Sequence, residues 1–171
     1  MPTVIATPGA SDANSYVTVV EADSYFADAY GRAKWATSAQ ADREALVISA
    51  SRSLDQYISW SGQRATSAQS MEWPRKGTFD RAGNLIPDTI IPSQVKYATY
   101  ELAYYMLDTG GALSFSDQTV DMVKLGSIEV EFTPHSTDVG IPSFIEEMLA
   151  NLGTGVVAGA NTVGMSRLVR T

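Results

Sequence analysis

Apolar residues return every three or four positions in three stretches of the chain, which predicts three helices sharing one core. Thr18 with Glu21 forms a capping-box pair ahead of the first, a helix burying Ala22, Tyr25, Phe26, Ala29 and Tyr30 and ended by Gly31. Thr37 with Gln40 signals a longer helix running to about Ile58, carrying Leu46, Ala50, Leu54, Tyr57 and Ile58 on one face and stopped by Gly62. Pro92 suits the opening turn of the third, because its missing N–H would have had no partner there. Val95, Ala98, Leu102 and Tyr105 form its seam, and Asp108-Thr109-Gly110-Gly111 ends it.

Beyond Gly111 the period changes from helical to alternating. Val120 to Phe132 is rich in strand formers, and Ile128-Glu129-Val130-Glu131-Phe132 alternates apolar with acidic positions. Gly126-Ser127 places a turn or bulge between Met122–Leu125 and that strand, predicting a hairpin over 117–133. Pro134 to Gly140 reads as a loop. Ser143 with Glu146 then predicts a short capped helix over 142–152 holding Phe144, Ile145, Met148 and Leu149. Residues 1–15 and the Gly-, Ala- and Thr-rich 153–171 read as extended arms, the first flexible or docking. Residues 61–90 are irregular, and so long a stretch is more often functional than idle. The expected architecture is a mainly α single domain over 1–171. It holds a small bundle (16–110) of three long helices, a short C-terminal helix, a β-hairpin and two arms.

Composition narrows the function classes. With 44% hydrophobic residues over 171 positions one core is within reach, while 13 Gly and 7 Pro leave room for long irregular segments. The net charge of −7 argues against a general nucleic-acid binder, whose affinity rests on Lys and Arg displacing counterions from phosphates. Zero cysteines exclude disulfides, thiolate metal sites and Cys nucleophiles. No apolar run approaches the roughly 20 residues of a membrane helix, so no membrane partner is expected. Met1-Pro2-Thr3-Val4 shows no secretory leader, which points to a cytoplasmic origin.

Candidate chemistry is sparse. His135, the one histidine, sits in a polar loop with no second ligand or nucleophile motif nearby, and reads as solvated. Glu129 and Glu131 share a strand face at roughly 7 Å, a spacing paired-carboxylate hydrolysis could use, but any exposed strand face has that pattern. Gly153-x-Gly155-x-x-Ala158 has dinucleotide-fingerprint spacing without the strand, turn and helix that give it meaning. No phosphate-binding loop, nucleophile elbow or His-Glu-x-x-His is present. The expectation is a non-enzyme with no cofactor and no metal.

The strongest cluster lies in the irregular segment. Arg64, Arg75, Lys76 and Arg81 are interleaved with Trp60, Trp73 and Phe79, the mixture of cations and rings that grips single strands without sequence preference. Pro74 fixes its own φ and pushes Trp73 toward an extended conformation, predicting a stiff, exposed turn that presents the indole. The alternative is that Trp73 plugs the bundle while the arginines pair with nearby carboxylates or an adjacent subunit. The acidic balance favours that alternative, and any contact with nucleic acid would be weak and salt-labile.

Taken in order, these pieces resemble the head–tail connector adaptors of tailed bacteriophages, a group also labelled DnaT-like single-stranded-DNA-binding proteins. The likeness rests on Ala13-Asn14-Ser15-Tyr16-Val17-Thr18 leading into Glu21-Ala22-Asp23-Ser24-Tyr25-Phe26, then Ala50 to Tyr57, Gln69 to Arg75 with its Trp-Pro-Arg step, and Ile91-Pro92 running to Glu101-Leu102-Ala103. Val123 to Phe132 and the Leu168-Val169-Arg170 ending complete it, so it covers nearly the whole chain. Gly153 to Gly164 fits the pattern less well.

The resemblance implies a structural adaptor in the virion neck, assembled in the host cytoplasm as a homo-oligomeric ring, commonly of twelve copies, beneath the portal protein. Such a ring extends the channel for double-stranded DNA without binding it tightly and docks a tail or head-completion protein. It implies a subunit or tail interface at Val120, Met122, Val123, Leu125, Ile128, Val130, Phe132, Trp73 and Arg75, with portal contacts at Arg167, Leu168, Val169 and Arg170. Tyr16 to Phe26 and Trp73 to Lys76 are expected at core or subunit contacts. An acidic conduit repelling phosphate fits this reading. The rival is a replication-type single-strand binder using Trp60, Trp73, Arg64, Arg75 and Lys76, with Arg81 a further candidate contact.

Overall fold

The computed structural model describes residues 3–111, 114–115, 122–125, 128–131 and 138–156. Helix α1 (Val19–Ala27) opens as its sequence predicts. The Thr18 Oγ1 accepts from the Glu21 N–H at 3.2 Å, while Glu21 Oε2 accepts from the Thr18 N–H at 2.8 Å. Ala22 and Phe26 are buried, but the helix stops at Ala27, so Tyr30 leaves the helical phase and stands in solvent.

Thr37 does not cap the next long helix. It ends a short helix α2 (Ala33–Thr37), and its hydroxyl donates back to the Ala33 carbonyl. α2 escapes a periodicity reading because one turn shows no period, yet it carries Trp35 into the core, where the indole N–H donates to Asp23 Oδ1 at 2.8 Å. Helix α3 (Gln40–Tyr57) buries Val47, Ile48, Ala50, Ser51 and Leu54. Ile58 is buried too, but as the first residue of strand β1 (Ile58–Trp60).

Two short strands follow inside the irregular segment, β2 (Gln63–Arg64) and β3 (Arg75–Lys76), paired antiparallel. Helix α4 (Ser93–Thr109) starts at Pro92 and ends at Gly110, whose φ of 72° is the left-handed cap that glycine adopts without a side-chain clash. Val95, Ala98, Leu102 and Met106 line its buried stripe, and it packs along α3. Ridge-into-groove contact between these two helices is the centre of the core.

After α4 the chain makes an excursion. Strand β4 (Ser114–Phe115) pairs with β7 (Asp138–Val139), and between them β5 (Met122–Leu125) pairs with β6 (Ile128–Glu131). The predicted hairpin is therefore present, with Val123 opposite Val130 and Leu125 opposite Ile128. Val120, Phe132 and His135 lie outside the described residues. Helix α5 (Ser143–Leu149) returns to the bundle against α4 and buries Ile145 and Leu149. Its N-cap is Pro142, so Ser143 is the first helical residue rather than the cap, and Phe144 faces outward.

The glycine-rich segment after α5 begins as strand β8 (Gly153–Gly155), paired antiparallel with β1. A side chain on Gly153 would fall 2.6 Å from the Ile58 Cγ2 atom, so close strand approach explains this glycine. The N-terminal segment is likewise fastened rather than loose. Asn14 Oδ1 accepts from the Ile5 N–H, its amide donates to the Thr3 carbonyl, and Ser15, Tyr16 and Val17 are buried. Residues 157–171, including Arg167, Leu168, Val169 and Arg170, lie outside the described residues. The fold is mainly helical, as expected.

Candidate nucleic-acid interface

The cluster singled out by sequence divides in two. In its first half, Trp73 is 1% exposed and sits edge-on against Trp60, with ring centroids 5.7 Å apart. Pro74, in a cis peptide with Trp73, lies beside Gly9 of the N-terminal segment. The exposed, presented indole expected from the Trp-Pro step is therefore corrected: Trp73 plugs the core. Burying so large a ring stabilises more than an exposed turn could, which decides its direction.

Arg75 is buried as well, and every donor it has is engaged. Nε donates to the Ser61 carbonyl at 2.7 Å, and Nη2 to the Gly62 and Trp60 carbonyls at 2.8 and 3.4 Å. Nη1 meets the Glu72 carbonyl at 3.2 Å and its carboxylate at 2.5 Å. A guanidinium can enter a core only when its charge and all its N–H groups are matched, and here one carboxylate and four carbonyls do so. The close turn depends on Gly62, where an added Cβ would stand 2.2 Å from the Lys76 carbonyl oxygen. Gln69, also buried, closes the same loop by donating to the Met71 and Pro74 carbonyls. Neither Trp73 nor Arg75 is thus available as a subunit, tail or nucleic-acid contact.

Beneath this half lies a half-buried carboxylate the sequence did not flag. Asp55 of α3 accepts from the Tyr16 hydroxyl and, at 3.2 Å, from the Glu72 N–H, joining the N-terminal segment, a bundle helix and the loop. Burial pushes its pKa up to about 6 despite those donors, and the Glu72 charge adds to the rise. Trp60 opposes the rise, although its indole N–H meets no acceptor in hydrogen-bonding geometry. Burial, then Asp55, drives the Tyr16 hydroxyl well above its usual range. Polar residues spaced across three segments carry no sequence signal that would have found this junction.

The second half turns outward. Arg64 and Lys76 sit one residue apart in register on the β2–β3 ribbon, both exposed. Arg64 Nη1 donates to the Gln69 carbonyl at 3.3 Å, and among the described residues Lys76 has only a 4.0 Å pairing with Asp88. The Phe79 ring is 51% exposed, so it, rather than Trp60 or Trp73, is the ring open to stacking. Arg81 is carried off to the end of α5, where Nη2 donates to the Glu147 carbonyl at 3.0 Å. Of the four candidate cations, the structure leaves Arg64 and Lys76 exposed on opposite faces of the ribbon, buries Arg75 and moves Arg81 to a separate contact.

Among the described residues no group of three or more acidic or histidine side chains is placed to hold a metal ion. No described helix is long and apolar enough to cross a membrane.

The chain over residues 1–171 matches the family described as "Putative DnaT-like ssDNA binding protein", and it belongs to that family. No curated protein and no solved structure matches it.

Proposed function

We propose that this member of the DnaT-like family is a non-enzymatic DNA-contacting protein that touches single strands through the exposed cations and ring of its 61–90 loop. The full-length family match carries this reading. Exposed Arg64 and Lys76, on the two faces of the ribbon, and the open Phe79 ring supply the chemistry, two phosphate contacts and one stacking platform. The same inventory sets the strength. An acidic chain offering two or three cations binds weakly per copy, with log affinity falling against log salt at a slope of about −1.5 to −2. Useful occupancy then comes from several copies on one strand.

Fluorescence anisotropy on a single-stranded oligonucleotide at two salt concentrations tests it. Binding should weaken with that shallow slope, and Arg64→Ala with Lys76→Ala should remove most of it. An absence of binding even at the lower salt would sink the proposal.

A second reading, the phage head–tail adaptor, is favoured by one observation. Strands β5 and β6 pair only with each other among the described strands, leaving outer edges that can take a strand from another subunit or a tail component. In this reading the chain is a ring subunit of the virion neck, assembled in the host cytoplasm. Its partners are copies of itself, the portal above and a tail or head-completion protein below. Met122, Val123, Leu125, Ile128 and Val130 then serve at an interface, and Arg167 to Arg170 reach the portal. The anisotropy titration separates the two, since an adaptor guiding double-stranded DNA should hold no single strand.

A further inference from the structure

Thr78 to Ile86 form a small, stiff hairpin. Phe79 and Leu85 bridge across it, the Ile86 N–H donates to the Thr78 carbonyl at 2.9 Å, and the Asp80 N–H to the Asn84 carbonyl at 2.9 Å. Asp80 Oδ1 accepts from the Ala82 and Asn84 N–H groups, both at 2.8 Å, which fixes the tip. The base is anchored, with Thr78 and Ile86 buried and the Asn151 amide donating to the Phe79 carbonyl at 3.1 Å. Yet the two bridging residues are 51% and 65% exposed. A rigid hairpin that holds a phenyl ring and an isobutyl group in water gains nothing from them in the isolated chain. Pre-ordered apolar groups of this kind lose little entropy on docking.

A matching receptor lies elsewhere on the molecule. Between α3 and the end of α4 runs an open groove of about 420 Å³ bounded by Asp42, Leu46, Ser49, Met106, Leu107 and Gly110. Its lining is mostly apolar, and Asp42 at its rim makes no ion pair or side-chain hydrogen bond among the described residues. Arg81, two residues from Phe79, engages the α5 carbonyls through Nη2, and among the described residues its other donors meet no acceptor. Apolar groups meet an apolar slot, and a cation with open donors meets an unpaired carboxylate.

We propose that the Phe79–Leu85 hairpin of one copy seats in the α3–α4 groove of a second copy, with Arg81 facing Asp42. Because hairpin and groove are different surfaces, the contact is heterologous. It propagates head to tail, giving a ring where the rotation closes and a filament where it does not. The contact shares Phe79 with the proposed strand platform but uses neither Arg64 nor Lys76, so Leu85→Ser, which touches the seat alone, and Arg64→Ala with Lys76→Ala, which touch DNA binding alone, make the two failures separately visible.

The chain has no cysteine, which makes the test direct. Full-length Ala82→Cys and Ser49→Cys proteins, mixed under mild oxidation, should cross-link into a heterodimer, whereas Ala82→Cys mixed with Ser24→Cys should not. Sedimentation of the unmodified chain should show self-association at concentrations on the order of 10–100 µM. Phe79→Asp should raise the half-association concentration at least about tenfold. Leu85→Ser should act in the same direction, and both variants should keep the parent melting temperature. A chain that stays monomeric throughout that range, or a cross-link indifferent to Phe79→Asp, would overturn the proposal.

Discussion

Residues 61–76 and 78–90 belong to one loop and draw on the same vocabulary of arginine, aromatic ring and proline, yet they take opposite directions. In the first, Trp73 and Arg75 turn inward because the backbone around them supplies four carbonyls, and the Glu72 side chain a carboxylate, to one guanidinium. In the second, Arg81 reaches only the end of a helix, and Phe79 remains half in water. What separates the halves is the number of acceptors the neighbouring backbone can present. A cation and a ring side by side mark a ligand site only where those acceptors run out.

The comparison can be broken most forcefully at its buried end. Trp73→Ala should cost about 3–5 kcal/mol in denaturant unfolding, whereas Phe79→Ala should stay within about 0.5 kcal/mol. Similar losses for the two would mean that the loop does not divide as described. Arg75→Lys comes next: one ammonium cannot satisfy five acceptors in a fork, so a loss of roughly 2–3 kcal/mol is expected, against none measurable for Arg64→Lys.

The smallest effect concerns pH. Asp55 has its folded pKa raised to about 6, so the native state holds that proton more tightly than the unfolded chain does. Its contribution is fully present below the unfolded value and is lost as pH rises through about 6. Acidification from pH 7 to 5 should therefore strengthen this junction, by on the order of 1–2 kcal/mol. The lowered pKa of Glu21 acts oppositely, its stabilisation disappearing only at more acid pH. Measured in a His135→Gln background, which removes the chain's one imidazole from the profile, Asp55→Asn should flatten the slope between pH 5 and 7. An unchanged slope in that variant would assign the effect elsewhere.

The parts of the fold visible in the sequence are those set by local chemistry. Thr18 with Glu21 announces α1, Pro92 and Gly110 bracket α4, and alternation over Ile128–Glu131 finds β6, because each depends on residues a few positions apart. The parts missed depend on distant partners. Pairing of Gly153–Gly155 with Ile58–Trp60 leaves no pattern in a glycine-rich string, and Asp55 has no motif linking it to Tyr16 and Glu72. The candidate site was legible as composition but not as orientation. Trp-Pro-Arg tells which groups are present, whereas the carbonyls that draw Arg75 inward come from Trp60, Ser61 and Gly62 across the turn.

The β4–β7 pairing has one more consequence. Ser114 lies opposite Val139, so the chain departs from the end of α4 and comes back to nearly the same place before α5 begins. A detour whose entrance and exit are laced together can be lengthened, shortened or exchanged with little demand on the helices beneath it. The bundle in this molecule thus serves as a chassis, and the laced detour is a fitting that rests on it without holding it together.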